Sequence, residues 1–334
     1  MRGSPKLTLE LTTFDDIIAA SKRISGHAVR TPLLESERLN RETGMRILIK
    51  PEMLQKTGAF KFRGAYNRIA MIAPKVRNKG VVAYSSGNHG QAVALAAQMF
   101  GVPAIIVMPA DAPKPKIDGT IAFGGEIIFY DRTTENREAI AAAIADDKDM
   151  TMVRPYDDVH VIAGQGTIGI EIADDLSQLG IEADQVVVPA GGGGMVAGTA
   201  IALNHLLPSI AVYAAEPDGF DDHRRSLEAD IRVTNAPNTH SMADSLMAPI
   251  PGELTFAINR HLLAGGMVAG EDDIKIAMRV LFRHFKLVSE PGGATALGAV
   301  MANRKSLTGR TIVVICSGGN VDESLFTDII STRI

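Results

Sequence analysis

From about Gly80 onward the chain alternates short β-branched runs with longer stretches whose apolar residues recur every three to four positions. The runs GVVAY, PAIIVMP, EIIFYD, MTMVRP, QVVVPA, AVYAAEP and TIVVIC read as strands. Between them SSGNHGQAVALAAQMFG, NREAIAAAIADD, GTIGIEIADDLSQLG, MVAGTAIALNHLL and DDIKIAMRVLFRHFK read as helices. Such alternation predicts a parallel α/β fold. Gly101 and Gly180 stand where two of the helices should stop, because a left-handed residue closes a helix and glycine adopts that conformation without strain. Residues 218–270, interrupted by Pro237, Pro249 and Pro251, are expected to form loops and short helices near a site or an interface. Three strands run into glycine-rich turns: Tyr84 into SSGNHG, Pro189 into AGGGGM and Cys316 into SGGN. Open parallel sheets bind ligands beyond the carboxyl ends of their strands, so three such ends predict a common crevice.

Composition narrows the class. The 334 residues are 46% hydrophobic and 22% charged, enough for one large or two ordinary domains with a substantial core. A net charge of -4, without a basic stripe and with few aromatic residues, gives no footprint for nucleic acid. Cys316 is the one cysteine, so no intrachain disulfide can form, which suits a reducing compartment. The start, MRGSPKLTLELTTFDD, lacks the apolar region of a signal peptide, and no apolar run reaches the length of a membrane span. The expectation is a soluble cytoplasmic protein with no membrane partner.

Gly191, Gly192, Gly193 and Gly194, between an apolar strand and a helix, let backbone amides approach a ligand without Cβ obstruction and form a nest for a phosphate. The competing reading is a flexible turn. No Gly-Lys-Ser/Thr closes the run, and it is not GxGxxG with a distant acid, so a compact phosphate monoester fits better than a triphosphate or a dinucleotide. A phosphate-bearing cofactor that also needs a lysine points to pyridoxal 5′-phosphate, whose aldehyde condenses with an amine. Lys61 is the candidate, in KTGAFKFRGA, where Phe60 and Phe62 would desolvate its amine and lower its pKa. The bland alternative is a solvated basic segment.

KTGAFKFRGA, with SSGNHGQA at 85–92, GGGGMVAG at 191–198 and CSGGNVD at 316–322, resembles the fold-type II pyridoxal-phosphate enzymes. Among these it is most similar to the serine/threonine dehydratase and serine racemase group, from RTPLLES at 30–36 to the last strand. The resemblance implies two parallel-sheet, three-layer α/β domains of the tryptophan synthase β-like architecture. The smaller would span residues 58–156, the larger 1–57 and 157–334. Lys61 would carry the cofactor and take the Cα proton, and Phe60 would pack beside the ring. Asn88 would meet the phenolic oxygen, Ser317 the pyridine nitrogen and Glu290 the ring edge, while the four glycines and Met195 would hold the phosphate. A hydroxyl at the pyridine nitrogen cannot keep it protonated, which favours elimination over chemistry that needs a strong electron sink. Glu290 could equally be an acidic residue that opens a helix.

Ser86 would stand across the cofactor from Lys61 as a second base, permitting racemisation; Ser85 and Ser86 could instead cap the following helix. Ser85, Gly87, Asn88 and His89 would receive the substrate α-carboxylate. Glu216 and Asp222, with the carbonyl of Phe220, would hold magnesium, calcium or manganese, or lie as acids on a solvated loop. His160, His223 and His240 receive no role. The family's Thr-Ile-Ala-Asp-Gly is here His240-Ser241-Met242-Ala243-Asp244-Ser245, so Ser245 replaces a glycine at the cofactor's rim. Arg137 either faces the crevice, ready for a second carboxylate, or is a solvated helix arginine. The function implied is dehydration and deamination of a 3-hydroxy amino acid (threonine, serine or 3-hydroxyaspartate) to a 2-oxo acid and ammonia by a homodimeric ammonia-lyase. The alternatives are a serine- or aspartate-type racemase on the same scaffold and a non-catalytic phosphate-binding protein.

Overall fold

The computed structural model describes residues 10–85, 87–237, 239–307 and 309–332. Ten strands are described: β1 (Leu34–Glu35), β2 (Arg46–Pro51), β3 (Val81–Tyr84), β4 (Ala104–Pro109), β5 (Glu126–Tyr130), β6 (Thr151–Met152), β7 (Gln185–Pro189), β8 (Ala211–Pro217), β9 (Gly265–Ala269) and β10 (Thr311–Cys316). They form two sheets, one in the order β1-β2-β10-β7-β8-β9 and the other β5-β4-β3-β6. All pairings are parallel except β1 with β2, an antiparallel edge that the alternation did not reveal. Residues 218–270 hold the helices Asp222–Ala229 and Glu253–Leu262, as expected. They also hold β9, whose GGMVA lacks the β-branched density of a recognisable strand and pairs along β8.

The central strands carry apolar residues on both faces because helices cover both, and Ile47, Leu48, Ile49, Val186, Val187 and Val188 are essentially inaccessible. Gly101 and Gly180 close the helices Asn88–Phe100 and Val159–Leu179 at φ 67° and 62°. The helix predicted from DDIKIAMRVLFRHFK is regular from Glu271 to Val280 and widens into a π-turn over Leu281–Phe285. β7 and β10 are neighbours in the six-stranded sheet, and β3 is central in the other. Their three glycine-rich ends meet in one crevice. No described helix is long and apolar enough to cross a membrane.

Candidate active site

The crevice, open to solvent on one side, spans about 860 Å³ and is lined by Phe60, Lys61, Ser85, Asn88, His89, Arg137, Gly191, Gly192, Gly193, Gly194, Met195, Ser245 and Ser317. Tyr84, Pro155, Tyr156, Pro189, Asp244, Leu246, Met247 and Ala248 complete the lining. Most candidates named from the sequence therefore converge. Gly87 faces Lys116 rather than the crevice, and Glu290 meets the site through Asn88 and, by way of Lys116, Asp244. Ser86 lies outside the described residues. Ser85 does not cap the helix that follows: its Oγ accepts the N–H of Gly87 at 3.0 Å, and Gly87 itself is the N-cap, without a side-chain cap.

Lys61 opens the helix Lys61–Ala70. The loop before it is fastened to the β10 turn, with Phe60 N–H donating to the Ser317 carbonyl at 3.0 Å and Gly319 N–H to that of Gly58 at 2.9 Å. The amine donates to the Pro155 carbonyl at 2.7 Å and lies 5.0 Å from the Phe60 ring centroid. Burial lowers it from 10.5 to about 8. Only Phe60 plays the part expected of two phenylalanines. Phe62 faces the core beneath β3 and β4, with Lys56 5.5 Å over its ring, because adjacent helical residues point about 100° apart.

Two positions on, Arg63 is fully buried. Its Nε and Nη2 donate to Glu52 at 2.8 Å each, and Nη1 and Nη2 donate to Glu171 at 2.6 and 2.9 Å. Lys50 Nζ reaches Glu171 at 2.8 Å. This buried network pins the helix that presents Lys61 to both β2 and the helix Val159–Leu179.

The tetraglycine turn leads into the helix Gly194–Leu206, with Gly193 at φ 91°. The Gly191 carbonyl accepts His223 Nε2–H at 2.9 Å, and the Gly192 carbonyl accepts Thr255 Oγ1–H at 2.7 Å. With these carbonyls held away, the N–H groups of Gly191, Gly192 and Gly193 donate to no other described residue. Unpaired amides at a helix N-terminus form an anion site. A Cβ on Gly192 would stand 2.3 Å from the Tyr156 ring, so glycine is required there. The donor set fits a phosphate monoester, and with Lys61 in the same crevice it fits pyridoxal phosphate.

On the facing loop, Asn88 Oδ1 accepts Asn320 Nδ2–H at 2.9 Å and Asn88 Nδ2 donates to Glu290. His89 is buried, with Nε2 against the Val153 carbonyl at 2.9 Å, and burial lowers it to about 3, so its ring is neutral. Arg137, whose helix could have turned it to solvent, lines the crevice with its guanidinium 5.4 Å over the Tyr84 ring. It pairs with no Asp or Glu among the described residues. Ser245 Oγ is buried without a hydrogen-bond partner.

Glu216 and Asp222 sit apart from the crevice, at the end of β8. Both are fully buried, which removes the solvated-loop reading. Glu216 accepts the N–H groups of His223 and Arg224 at 2.7 and 2.9 Å. Asp222 Oδ1 accepts from Asn235 at 2.7 Å, and its Oδ2 has no partner. Burial, then the charge of Asp222, pushes Glu216 well above the usual carboxylate range; burial pushes Asp222 up to about 7. The described residues contain no cluster of three or more His, Cys, Asp or Glu side chains arranged for a metal.

Sequence reasoning missed Tyr84, Pro155, Tyr156, Asp244 and His223. Tyr84 and Pro155 stand at the ends of predicted strands, a usable signal for crevice residues. His223 was set aside because it makes no metal-ligand spacing, whereas its role is to hold a glycine carbonyl.

Comparison with known proteins identifies the family. A model of the family described as "Pyridoxal-phosphate dependent enzyme" matches residues 24–318. The L-threo-3-hydroxyaspartate ammonia-lyase of Saccharomyces cerevisiae is 38% identical over 96% of this chain and 97% of its own. The serine racemase of Schizosaccharomyces pombe is 37% identical over 97% and 98%. Among solved structures, the threonine deaminase of T.th. superposes with a TM-score of 0.88 at 40% identity, covering 93% of this chain and 99% of that one. The chain belongs to the pyridoxal-phosphate dependent enzyme family.

Proposed function

We propose that the protein is an ammonia-lyase that eliminates water from a 3-hydroxy amino acid and releases a 2-oxo acid and ammonia, with a 3-hydroxyaspartate as the preferred substrate. Pyridoxal phosphate, when bound, supplies an aldehyde for amines and a ring that withdraws electrons from Cα. Lys61 would hold it through the amine, with the Gly191–Gly194 amides and Met195 at the phosphate, Phe60 beside the ring, Asn88 at the phenolic oxygen and Ser317 at the ring nitrogen. The same amine, titrating at about 8, is poised to take the Cα proton near neutral pH. The loop of Ser85, Gly87, Asn88 and His89 would receive the α-carboxylate. Loss of the β-hydroxyl as water and later addition of water balance the release of ammonia.

The observation that carries the choice of substrate is Arg137, a guanidinium in the crevice without an acidic partner. The second carboxylate of hydroxyaspartate would supply that partner, and the unpartnered Ser245 hydroxyl would donate to it. Truncating one side of such a pair costs about 2–5 kcal/mol. Arg137→Ala should therefore lower kcat/KM for hydroxyaspartate roughly 100-fold while leaving threonine within a few fold. A wild-type preference for threonine that Arg137→Ala does not alter would defeat the assignment. The likeness to a serine racemase keeps racemisation by Lys61 and Ser86 as the second reading, separated by chiral analysis of recovered serine.

The same reading places magnesium, calcium or manganese on Glu216, Asp222 and the Phe220 carbonyl, because a cation would relieve two buried carboxylates and an unpartnered oxygen at once. Its test is a melting temperature that rises with added cation in the wild type but not in Asp222→Asn. A melting temperature indifferent to cation and chelator alike would remove it. The division into domains of 58–156 and 1–57 with 157–334, the homodimer and the cytoplasmic location belong to the same proposal. Limited proteolysis, light scattering and cell fractionation respectively would check them.

A further inference from the structure

Lys116, in the segment Pro113-Lys114-Pro115-Lys116, is only 2% exposed, whereas Lys114 two residues earlier is solvated and pairs with Asp118. Burying an ammonium costs several kcal/mol unless it is paired. Its Nζ lies 2.8 and 3.1 Å from the Asp244 carboxylate and 3.2 Å from Glu290 Oε2. The lysine stands on the helix Lys114–Ala122 beside the four-stranded sheet. Asp244 opens the short helix Asp244–Leu246, and Glu290 caps Pro291–Ala302, which packs on the other sheet. The bridge therefore ties the two layers together across the crevice. Its path is built into the chain, since a Cβ on Gly87 would sit 2.1 Å from Lys116 Cδ.

Glu290 uses its other oxygen, Oε1, to accept Asn88 Nδ2–H, while Asn88 Oδ1 accepts from Asn320 at 2.9 Å. Asn320 Nδ2 also donates to the Thr57 carbonyl at 2.8 Å, so it must be a donor. Asn320 and the Glu290 oxygen together hold the amide of Asn88: its oxygen faces Asn320, Nδ2 faces Glu290, and the second N–H of Nδ2 is left for the crevice. The charged side chains facing Glu290 are Lys116 and Asp244, and Asn88 is the neutral one. Burial above all, with Asp244, raises the Glu290 carboxyl overall, against the pull of Lys116.

We infer that Lys116 is a positioning residue which keeps Glu290 a carboxylate and so makes Asn88 present an N–H, rather than its carbonyl, to the cofactor's phenolic oxygen. The inference rests on the family's cofactor and is independent of the choice of substrate. Its test is the visible absorption of the holoenzyme between pH 6 and 9 in Lys116→Met, Lys116→Arg and the double variant Lys116→Met/Glu290→Gln. Without the ammonium the buried Glu290 takes a proton and its hydroxyl donates to Asn88, which then turns its carbonyl rather than an N–H to the phenolic oxygen, so the cofactor's proton is held more tightly. The profile of Lys116→Met should move to higher pH by about one unit, a tenfold change in proton affinity. Lys116→Arg should restore most of the wild-type profile. The double variant should restore it too, because a neutral Gln Oε1 accepts the same N–H without the charge. A Lys116→Met profile that coincides with the wild type overturns the inference, and so does a displaced double variant. Should Lys116→Met fail to fold, Lys116→Gln, which also removes the ammonium but keeps a polar end, decides by the same comparison: a profile moved to higher pH supports the inference and one that coincides with the wild type overturns it.

Discussion

Lys61 is the one place where the chain's chemistry and its stability pull in opposite directions by an amount that can be worked out. In the cofactor-free protein the half-buried amine donates to the Pro155 carbonyl at 2.7 Å and titrates at about 8 instead of 10.5. The folded value lies below the unfolded one, so the unfolded chain binds more protons across this window, and stability rises with pH from about 8 to 10.5. Below the window the full cost persists, about 3.4 kcal/mol at 1.36 kcal/mol per tenfold change. At pH 9.5 the same two values leave about 1.4 kcal/mol. Lys61→Met keeps the stem and removes the amine, losing one hydrogen bond of about 1 kcal/mol. The inactive variant should therefore be more stable than the wild type by about 2 kcal/mol at pH 7, with the gap closing to a few tenths at pH 9.5. Urea denaturation of both cofactor-free proteins at the two pH values measures this as a shift in midpoint at constant slope. A variant no more stable than wild type at pH 7, or a gap equal at both pH values, would refute the reasoning.

The remaining predictions concern the scaffold around that lysine. Arg63→Met should destabilise the fold by about 3–5 kcal/mol, since it strands the buried Glu52 and leaves Glu171 with Lys50 alone, and Arg63→Lys should recover little because an ammonium cannot bridge both; urea midpoints report both effects. Gly193→Ala should weaken cofactor binding at least about tenfold in an absorbance titration, because φ is 91° and the new Cβ would meet His223 Cε1 at 2.5 Å. Gly180→Ala, left-handed but in open space, should cost only about 1 kcal/mol in a urea melt and leave that titration unchanged. Cys316 is fully buried and its thiol is pushed up by burial alone, so a thiol reagent such as DTNB should react with it only at the rate of unfolding. Rapid labelling under native conditions would contradict that burial.

What could be read from the sequence follows the range over which each signal acts. The strands of both sheets announce themselves because burial on both faces demands β-branched runs, as in QVVVPA and TIVVIC, and the glycines that end them need no partner to be recognised. β1 and β9 escaped because two residues of LE and the glycines of GGMVA are strands only by virtue of their neighbours, β2 and β8. The same division runs through the site. Lys61, the tetraglycine and Asn88 belong to short motifs with their own chemistry. The Pro155 carbonyl under Lys61, the His223 ring on Gly191 and the Glu290 carboxylate on Asn88 come from 94, 32 and 202 residues away. No local pattern specifies those distances. Phe62 shows the opposite failure, since proximity in sequence suggested a contact with Lys61 that the rotation of a helix forbids.

These long-range partners decide the charge that a substrate meets. The charged side chains lining the crevice are Lys61, Arg137 and Asp244. Asp244 is neutralised by Lys116 at 2.8 Å, His89 is held neutral by burial, and Lys61 is half-deprotonated near pH 8. Of the lining side chains Arg137 therefore remains the one permanent charge without an acidic partner, stacked over Tyr84. Under the proposed function that polarity suits a ligand with a second anionic group at Arg137, beyond the α-carboxylate assigned to Ser85, Gly87, Asn88 and His89. Threonine and serine offer only the first. The proposed selectivity for a second acid therefore rests on Arg137, and the pairing of Asp244 with Lys116 supports it by neutralising the only lining carboxylate.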